Sequence, residues 1–294
     1  MTDYLKHRYA CFVFFVLLVI AATGGCWYNL VHYGSAFNFS VDFTGGTQVL
    51  LKFSQPIASD KVRGVLSGAG YDSVDLREFG NNELLVRVQR FDSDVKGVGG
   101  KIADLLQQSV GDDNRVEIIQ ADSVGKAVGD SLRWNAIKAI FIALLLMLLY
   151  VGVRFQFAFS LGAVFALFHD ALVIAVYFLL TRQEVSIEVI GAVLMVLGYS
   201  VNDTIVIFSR IRENLRKFSG TSLYEVINIS INQTMSRTLL TSLSTALVVV
   251  ALLIFGGEIL RGLSITLLLG IFFGTYSSIF VASPVMMYLY RGRA

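Results

Sequence analysis

The sequence is poor in the residues that carry covalent and metal chemistry. Its 294 residues include only two cysteines, Cys11 and Cys26, and three histidines. The cysteines lie in one apolar run, about 22 Å apart along a helix, so they cannot form a disulfide with each other. No cluster of His, Cys, Asp and Glu has metal-site spacing, and Gly97-Val98-Gly99-Gly100-Lys101 lacks the spacing of a P-loop. No Ser/His/Asp or Cys/His constellation indicates hydrolysis, so the sequence predicts neither an enzyme nor a bound cofactor.

Charge is scarce as well. Only 16% of the residues are charged, and 24 basic against 22 acidic side chains leave a net charge of +2. The basic residues are scattered and form no basic-aromatic patch, so we predict no nucleic-acid partner. What the chain has instead is apolar side chains: 55% of it is hydrophobic and the mean hydropathy is +0.65. That composition is typical of a membrane protein.

Six apolar runs are long enough to cross a bilayer. They are Cys11–Val31, Trp134–Val153, Phe157–Leu180, Ile187–Phe208, Thr238–Phe255 and Leu263–Leu289. We therefore predict a polytopic α-helical membrane protein with six transmembrane helices. Residues 1–32 would hold the N-terminal tail and first helix, 33–133 a soluble domain, and 134–294 helices two to six.

The segment between the first two runs predicts a ferredoxin-like α+β domain. Strands are expected at Thr47–Phe53, Ser73–Phe79, Glu83–Gln89 and Arg115–Ala121, and helices at Ser59–Ser67 and Asp94–Val110. Gly80-Asn81-Asn82 indicates a hairpin between the middle strands. The order strand-helix-strand-strand-helix-strand is the split βαβ arrangement. Ahead of it, Asp42 followed by Gly45 and Gly46 indicates a tight turn, which we interpret as a structural motif.

Loop charges predict the orientation in the membrane. The N-terminal basic residues and Arg154 fall on one side of a six-span chain, together with Arg210, Arg212, Arg216, Lys217, Arg291 and Arg293. Since positive charge is enriched in cytoplasmic loops, both termini are predicted to be cytoplasmic and the soluble domain external.

Two ionisable residues in neighbouring runs are the strongest candidates for function. Asp203 lies in run four and Arg237 at the start of run five, with Gly220 midway as a turn residue. An antiparallel hairpin about Gly220 would bring the two charges to similar depth, and a charge at membrane depth is costly without a partner. We predict that they face each other across a polar seam and that Asp203 gains and loses a proton. The residues alone leave open a buried ion pair that only locks the helices, or an Arg237 that snorkels to the headgroups.

Small and polar residues at helical spacing are predicted to line this seam. Gly191, Gly198 and Asn202 would line it on one helix and allow close approach. The other helix would contribute one polar stripe, made of Thr234, Arg237, Thr238, Thr241, Ser244 and Thr245.

Two further features lie inside the spans. His169 and Asp170 fall near the middle of run three, and together with Asn202 and Thr241 of the seam they are a possible second proton or polar site. An Asp paired with its neighbouring histidine or with a nearby serine is the structural alternative. In the last run, Gly270-Ile271-Phe272-Phe273-Gly274 predicts close helix packing, and Pro284 predicts a bend.

The order of these motifs resembles that of the SecD/SecF family of protein-export membrane proteins, and of its smaller SecF-type members in particular. The matching segments are Val41-Asp42-Phe43-Thr44-Gly45-Gly46, Tyr150-Val151-Gly152-Val153-Arg154-Phe155, Phe168-His169-Asp170, residues 198–208 with Arg210-Ile211-Arg212-Glu213, Ser236-Arg237-Thr238 with Thr241-Ser242, and residues 274–280.

The resemblance implies a fold, a function and partners. Members of this kind have six spans with an external ferredoxin-like domain, and pair with SecD in a bundle related to resistance-nodulation-division transporters. The complex works beside the SecYEG channel and the ATPase SecA in the bacterial inner membrane, and uses the proton motive force to draw preproteins across. An Asp in span four and an Arg in span five, matching Asp203 and Arg237, serve proton passage. A proton-coupled small-molecule efflux protein and a scaffold that moves no protons stay open as alternatives.

Overall fold

The computed structural model describes residues 2–71, 74–80, 82–90, 97–111 and 113–290. Ser73, Asn81, residues 94–96, Arg291 and Arg293, which enter the predictions above, lie outside the described residues. The chain divides into two compact units, one of Met1–Asn38 with Lys138–Ala294 and the other of Phe39–Ile137.

The elements follow one another in a simple order along the chain. The helices are α1 (Arg8–Tyr33), α2 (Val41–Thr44), α3 (Ser59–Gly68), α4 (Gly97–Val110), α5 (Lys126–Arg154), α6 (Phe157–Thr181), α7 (Ile187–Lys217), α8 (Leu223–Phe255), α9 (Gly257–Ser277) and α10 (Ser283–Leu289). The strands are β1 (Asn38–Phe39), β2 (Gly46–Phe53), β3 (Val74–Phe79), β4 (Glu83–Val88), β5 (Val116–Val124) and β6 (Glu184–Val185).

Among the described residues, six helical spans are long and apolar enough to cross a membrane, as the sequence predicts. They are Leu5–Tyr33, Lys126–Arg154, Phe157–Thr181, Ile187–Lys217, Leu223–Phe255 and Gly257–Leu289. The first begins with a 3-10 turn, Leu5–His7. The last contains a π-helical segment, Ser278–Ala282, which ends two residues before Pro284. The sequence predicts a bend at this proline, and the structure shows a local widening of the helix just before it.

The unit of residues 39–137 contains the predicted ferredoxin-like arrangement. Its four-stranded sheet has the order β3-β4-β2-β5, and each neighbouring pair is antiparallel. Buried and partly buried residues alternate along β4, so that Leu84, Val86 and Val88 point to one face. That face packs with apolar residues of α3 and α4, such as Leu66 and Ile102, into a continuous core. Each such side chain contributes roughly 1.5–3 kcal/mol by leaving water.

The unit of Met1–Asn38 with Lys138–Ala294, called the membrane unit below, is built around α6, α7 and α9. Between 50% and 56% of the apolar stretch of each corresponding span is buried, against 6% to 11% for the spans that contain α1, α5 and α8. Small residues make this centre compact. A Cβ on Gly270 would lie 2.0 Å from Val196 Cγ2, and one on Gly162 would lie 2.7 Å from the Ala282 carbonyl oxygen. The close-packing prediction for Gly270 and its neighbours is therefore confirmed.

Candidate functional site

The predicted helical hairpin is formed by α7 and α8. The turn between them contains Gly220 in the left-handed conformation, with φ +94°. Near the turn, Asn214 Nδ2 donates to Ser230 Oγ at 2.8 Å and to Gln233 Oε1 at 2.9 Å. These side-chain hydrogen bonds hold the two helices in register on either side of the glycine.

Asp203 lies within the bundle, on the face of α7 that meets α8 and α9. Its exposure is 4%, and its Oδ2 atom is buried without a hydrogen-bond partner in the described part of the chain. The Ser242 hydroxyl of α8 interacts with its carboxyl group. Ser242 Oγ also lies 2.7 Å from Thr275 Oγ1 of α9 and accepts a longer bond, 3.4 Å, from the Tyr199 hydroxyl. A chain of hydroxyl groups thus joins three helices beside a carboxylate with an unused acceptor atom.

Arg237 does not form the ion pair with Asp203 that the sequence predicts. Its side chain is exposed, and no described carboxylate oxygen lies within 4.0 Å of its nitrogen atoms. The two charges still interact at longer range. The direct-contact prediction is wrong because the next residue on α8, Thr238, takes the inward position at 1% exposure, which turns Arg237 about 100° away.

The predicted polar stripe on α8 is also divided. Thr234, Thr238 and Ser242 are buried in the bundle, and the Thr238 hydroxyl has no hydrogen-bond partner among the described residues. Arg237, Thr241 and Ser244 are exposed, with Thr241 Oγ1 donating to the Arg237 carbonyl oxygen at 3.0 Å. Residues spaced three and four apart cover a broad arc of a helix. On α8, one edge of this arc faces the interior of the bundle and the other edge is exposed.

The small residues predicted to bring α7 close to its neighbour face outward instead. A Cβ on Gly191 or Gly198 would meet nothing within 4 Å, and Asn202 is exposed. The close contact of α7 is made on its other face, where Ser200 packs against Gly274 of α9. The prediction of close approach at Gly191 and Gly198 is therefore wrong within this chain.

Asp170 and His169 form a second polar cluster that is completely enclosed. Their exposures are 1% and 0%, and His169 Nδ1 lies 3.1 Å from Asp170 Oδ1. Asp170 Oδ2 accepts hydrogen bonds from Ser200 Oγ at 2.5 Å and Ser277 Oγ at 2.9 Å. The structural alternative raised by the sequence, an Asp held by its histidine and by serines, describes these contacts.

Aromatic rings surround the histidine of this cluster. Phe14, Phe15 and Tyr276 have ring centroids 5.9–6.3 Å from that of His169. Its Nε2 atom has no partner among the described residues. The cluster therefore joins α6 to α7 and α9 through hydrogen bonds, within a shell of rings that excludes water.

Sequence reasoning missed four hydroxyl groups around the two carboxylates. Tyr199 and Thr275 belong to the chain of hydroxyl groups beside Asp203. Ser200 and Ser277 donate hydrogen bonds to Asp170. Serine and threonine are common in membrane helices, where they also bond to their own backbone, as Thr275 does to the Ile271 carbonyl oxygen. Only their position three or four residues from another polar group could have drawn attention to them.

The turn with Asp42, Gly45 and Gly46 is a close-packed start to the sheet of the smaller unit. Ser40 Oγ caps the single helical turn α2 by accepting from the Asp42 backbone N–H at 3.2 Å, and it donates to Asp42 Oδ2 at 2.7 Å. Gly45 has φ +76°, and a Cβ there would lie 2.9 Å from the Lys126 Cα atom. At Gly46, with φ +121°, a Cβ would lie 2.6 Å from the Val88 carbonyl oxygen. Only glycine satisfies both requirements at these two positions.

The chain was compared with known protein families. The profile "Protein export membrane protein SecD/SecF, C-terminal" matches residues 103–292, and "SecD/SecF GG Motif" matches residues 35–57, which contain the glycine pair. The chain belongs to the SecD/SecF family.

Individual members of the SecD/SecF family agree with this assignment. "Protein translocase subunit SecF" of Pseudomonas aeruginosa is 41% identical, with 98% of this chain and 91% of that protein covered. The protein of the same name from Rhodothermus marinus is 38% identical, with 99% of this chain and 94% of that protein covered. A crystal structure of SecDF, described as a translocon-associated membrane protein, from Thermus thermophilus matches with a TM-score of 0.85 and 33% identity. That match covers 98% of this chain and spans 38% of the SecDF polypeptide.

Proposed function

We propose that this chain is the SecF-type subunit of a SecD–SecF complex that uses the proton motive force to promote preprotein translocation through the Sec channel. The observation that carries the proposal is the carboxylate of Asp203. It is buried within a membrane bundle, has an oxygen atom without a partner, and lies beside a chain of hydroxyl groups. An ionisable residue at membrane depth is by default a hypothesis for a functional site, and the unused acceptor atom of Asp203 favours proton binding there.

Protonation of Asp203 would change how α7 and α8 pack. The charged form is attracted to Arg237, while the neutral form is better accommodated among apolar side chains. Moving one charge through the membrane potential is worth about 2.3 kcal/mol per 100 mV, which shifts a balanced equilibrium about 50-fold. A bundle with two packing states could be driven by that amount and so move the domain attached to it.

The exposed polar side chains of α7 and α8 support a membrane partner, which we propose to be SecD. Asn202 on α7, and Arg237, Thr241 and Ser244 on α8, face outward from helices long enough to span a membrane. Polar groups in contact with lipid alone are unfavourable, whereas a second helical bundle can satisfy them. The wider assembly would include SecYEG with SecA, the translocating preprotein, protons and membrane lipid.

The location we propose is the bacterial inner membrane, with both termini cytoplasmic. The basic residues of the loops between spans support this orientation. The domain predicted at 33–133 would then be external, where a preprotein emerges. For Asp170 and His169, raised by the sequence as a second proton site, the three hydrogen bonds on one enclosed carboxyl group favour an anchoring role.

The proposal is tested with Asp203→Asn, which keeps the size of the side chain and removes its proton chemistry. We expect the complex to assemble and the gradient-dependent part of preprotein export to be lost, measured as the rate of preprotein processing with and without an imposed proton gradient. The control is Asp104→Asn, at an exposed position of α4, which should export normally. Normal gradient-dependent export by Asp203→Asn would contradict proton coupling and favour a scaffold subunit.

A further inference from the structure

Two arginines from different helices lie against one aromatic ring in the membrane unit. The guanidinium carbon of Arg212 is 4.7 Å from the ring centroid of Phe155, and that of Arg154 is 5.6 Å from it. Arg154 ends α5, and Arg212 lies near the end of α7. Arg212 Nη1 also donates to the Arg154 carbonyl oxygen at 2.9 Å, which fixes its position. The ring itself is buried, at 7% exposure, so the two cations share a rigid support.

These cations have no acidic partner in the part of the chain that the structure describes. No carboxylate oxygen there lies within 4.0 Å of Arg154, Arg212 or Arg216, which follows Arg212 by one helical turn. The neighbouring cations do have one: Arg210 and Lys217 contact Glu213 at 2.9 and 3.4 Å. Like charges held close together repel one another, and an anion between them removes that repulsion. The planar guanidinium group suits a phosphate in particular.

The surroundings of Arg154 are apolar and open. Val153 is 91% exposed and Phe157 is 74% exposed, on either side of Arg154 and Phe155. Tyr150, one turn earlier on α5, is 55% exposed. All three belong to segments that span the membrane or end at its surface. A guanidinium group at the end of a membrane helix reaches the headgroup layer, while apolar neighbours at the same end contact acyl chains.

We propose that Arg154, Arg212 and Arg216 bind the phosphate group of an anionic phospholipid whose acyl chains lie along Val153 and Phe157. The phosphate accounts for the cations without an acidic partner, and the acyl chains account for the exposed apolar residues beside them. A free phosphate ion would account for the cations without an acidic partner but not for the exposed apolar residues beside them. This lipid site is separate from Asp203 and the hydroxyl groups beside it. Lipid binding at the site does not depend on proton coupling.

The test measures lipid binding by the purified chain in zwitterionic nanodiscs or mild detergent. Phosphatidylglycerol, phosphatidylcholine and inorganic phosphate are the probes, and native mass spectrometry or a thermal shift is the readout. Each basic residue near an anionic surface contributes about a fivefold change in affinity, so Arg154→Gln with Arg212→Gln should weaken phosphatidylglycerol binding about 25-fold. Phosphatidylcholine should bind weakly to both forms.

Matched variants keep the result interpretable. Arg210→Gln removes a cation of the same helix that already has an acidic partner, and should change binding little. Arg154→Gln alone removes one cation and keeps the backbone carbonyl that accepts the Arg212 hydrogen bond, and its unfolding midpoint in the same thermal assay separates lost binding from a folding defect. Equal losses in Arg154→Gln and Arg210→Gln, or unchanged binding in the double variant, would overturn the proposal. Inorganic phosphate that competes as well as the lipid would overturn the lipid as the ligand.

Discussion

Asp170 and Asp203 are two aspartates in neighbouring helices of one bundle, almost equally buried at 1% and 4% exposure. Their hydrogen bonding is opposite. Asp170 has contacts from a histidine and two serines, while Asp203 retains an oxygen atom with no partner among the described residues. Burial alone therefore does not distinguish the two carboxylates. The number of satisfied acceptor atoms does, because a carboxylate that already has its donors resists any rearrangement.

The two faces of α7 repeat this contrast. Ser200, on the inner face, contacts both Asp170 and Gly274, while a Cβ added to Gly191 or Gly198, on the outer face, would meet no described atom within 4 Å. One helix thus has a side fixed by packing and a side available to a partner. The following predictions test where the fixed region ends.

The largest effect is expected for Asp170→Ala. The change leaves His169, Ser200 and Ser277 without their common acceptor in a site that excludes water. Removing one member of a buried polar network costs about 3–5 kcal/mol of the free energy of unfolding. The measurement is detergent or thermal unfolding of the purified chain, with Asp170→Asn as the milder variant. Unfolding of Asp170→Ala at the wild-type midpoint would show that the cluster does not anchor the helices.

A smaller but still clear effect is expected for Gly270→Ala. Its Cβ would lie 2.0 Å from Val196 Cγ2, so α7 and α9 must separate. Overpacking of this kind costs roughly 1–3 kcal/mol. The matched control is Gly191→Ala on the outer face of α7, where the same change should stabilise the helix by about 0.5–1 kcal/mol. Both are measured as shifts of the unfolding midpoint, and equal shifts would mean that the two faces do not differ.

For Asp203→Asn we expect a change in stability below about 1 kcal/mol, because Oδ2 makes no hydrogen bond that the substitution could remove. The same unfolding assay as for Asp170→Ala measures it. Together with a loss of gradient-dependent export, this would separate function from stability at Asp203. A loss of stability as large as that of Asp170→Ala would place Asp203 among the anchors.

The smallest effect concerns Asp3, an exposed carboxylate near the chain's N-terminus. The Tyr224 hydroxyl donates to it at 2.7 Å, and this hydrogen bond is the main reason that the pKa of Asp3 lies below its ordinary value, with Asn228 contributing as well. A lowered folded-state pKa means that the contribution is present above the unfolded pKa of about 4 and is lost as the pH falls through the folded value. Acidification below that range should loosen the contact of residues 2–7 with α8, although the hydrogen bonds of Asn228 and Asn232 to this segment do not titrate.

The measurement is limited proteolysis or hydrogen exchange of the N-terminal segment as a function of pH. The control is Asp3→Asn, in which protection should be weaker at neutral pH and independent of pH in the acid range. Equal pH dependence of the wild type and Asp3→Asn would show that another group holds the segment.

Much of the architecture could be predicted from the sequence. The six spans, the order of strands and helices in the smaller unit, and the hairpin about Gly220 follow from hydropathy, periodicity and turn residues. These signals are local, since each depends on residues that are close together in the sequence. The site was predicted less well. Asp203 is conspicuous in the sequence because it is a carboxylate in an apolar run, and its role in proton binding stays a proposal. The predicted ion pair with Arg237 was wrong because the neighbouring Thr238 takes the inward position on α8 and Arg237 is exposed.

Hydropathy and residue order are enough to identify the six spans, the sequence range of the small domain and the acids that fall within apolar runs. The folded bundle was needed to learn which of these acids has its hydrogen-bond donors and which face of α7 is open. The reason is that the relevant contacts are distant in sequence: the serines that hold Asp170 are 30 and 107 residues away from it, on two other helices. Such contacts depend on how helices rotate and pack against one another, and a rotation of one residue, about 100°, moves a side chain from the core to the surface.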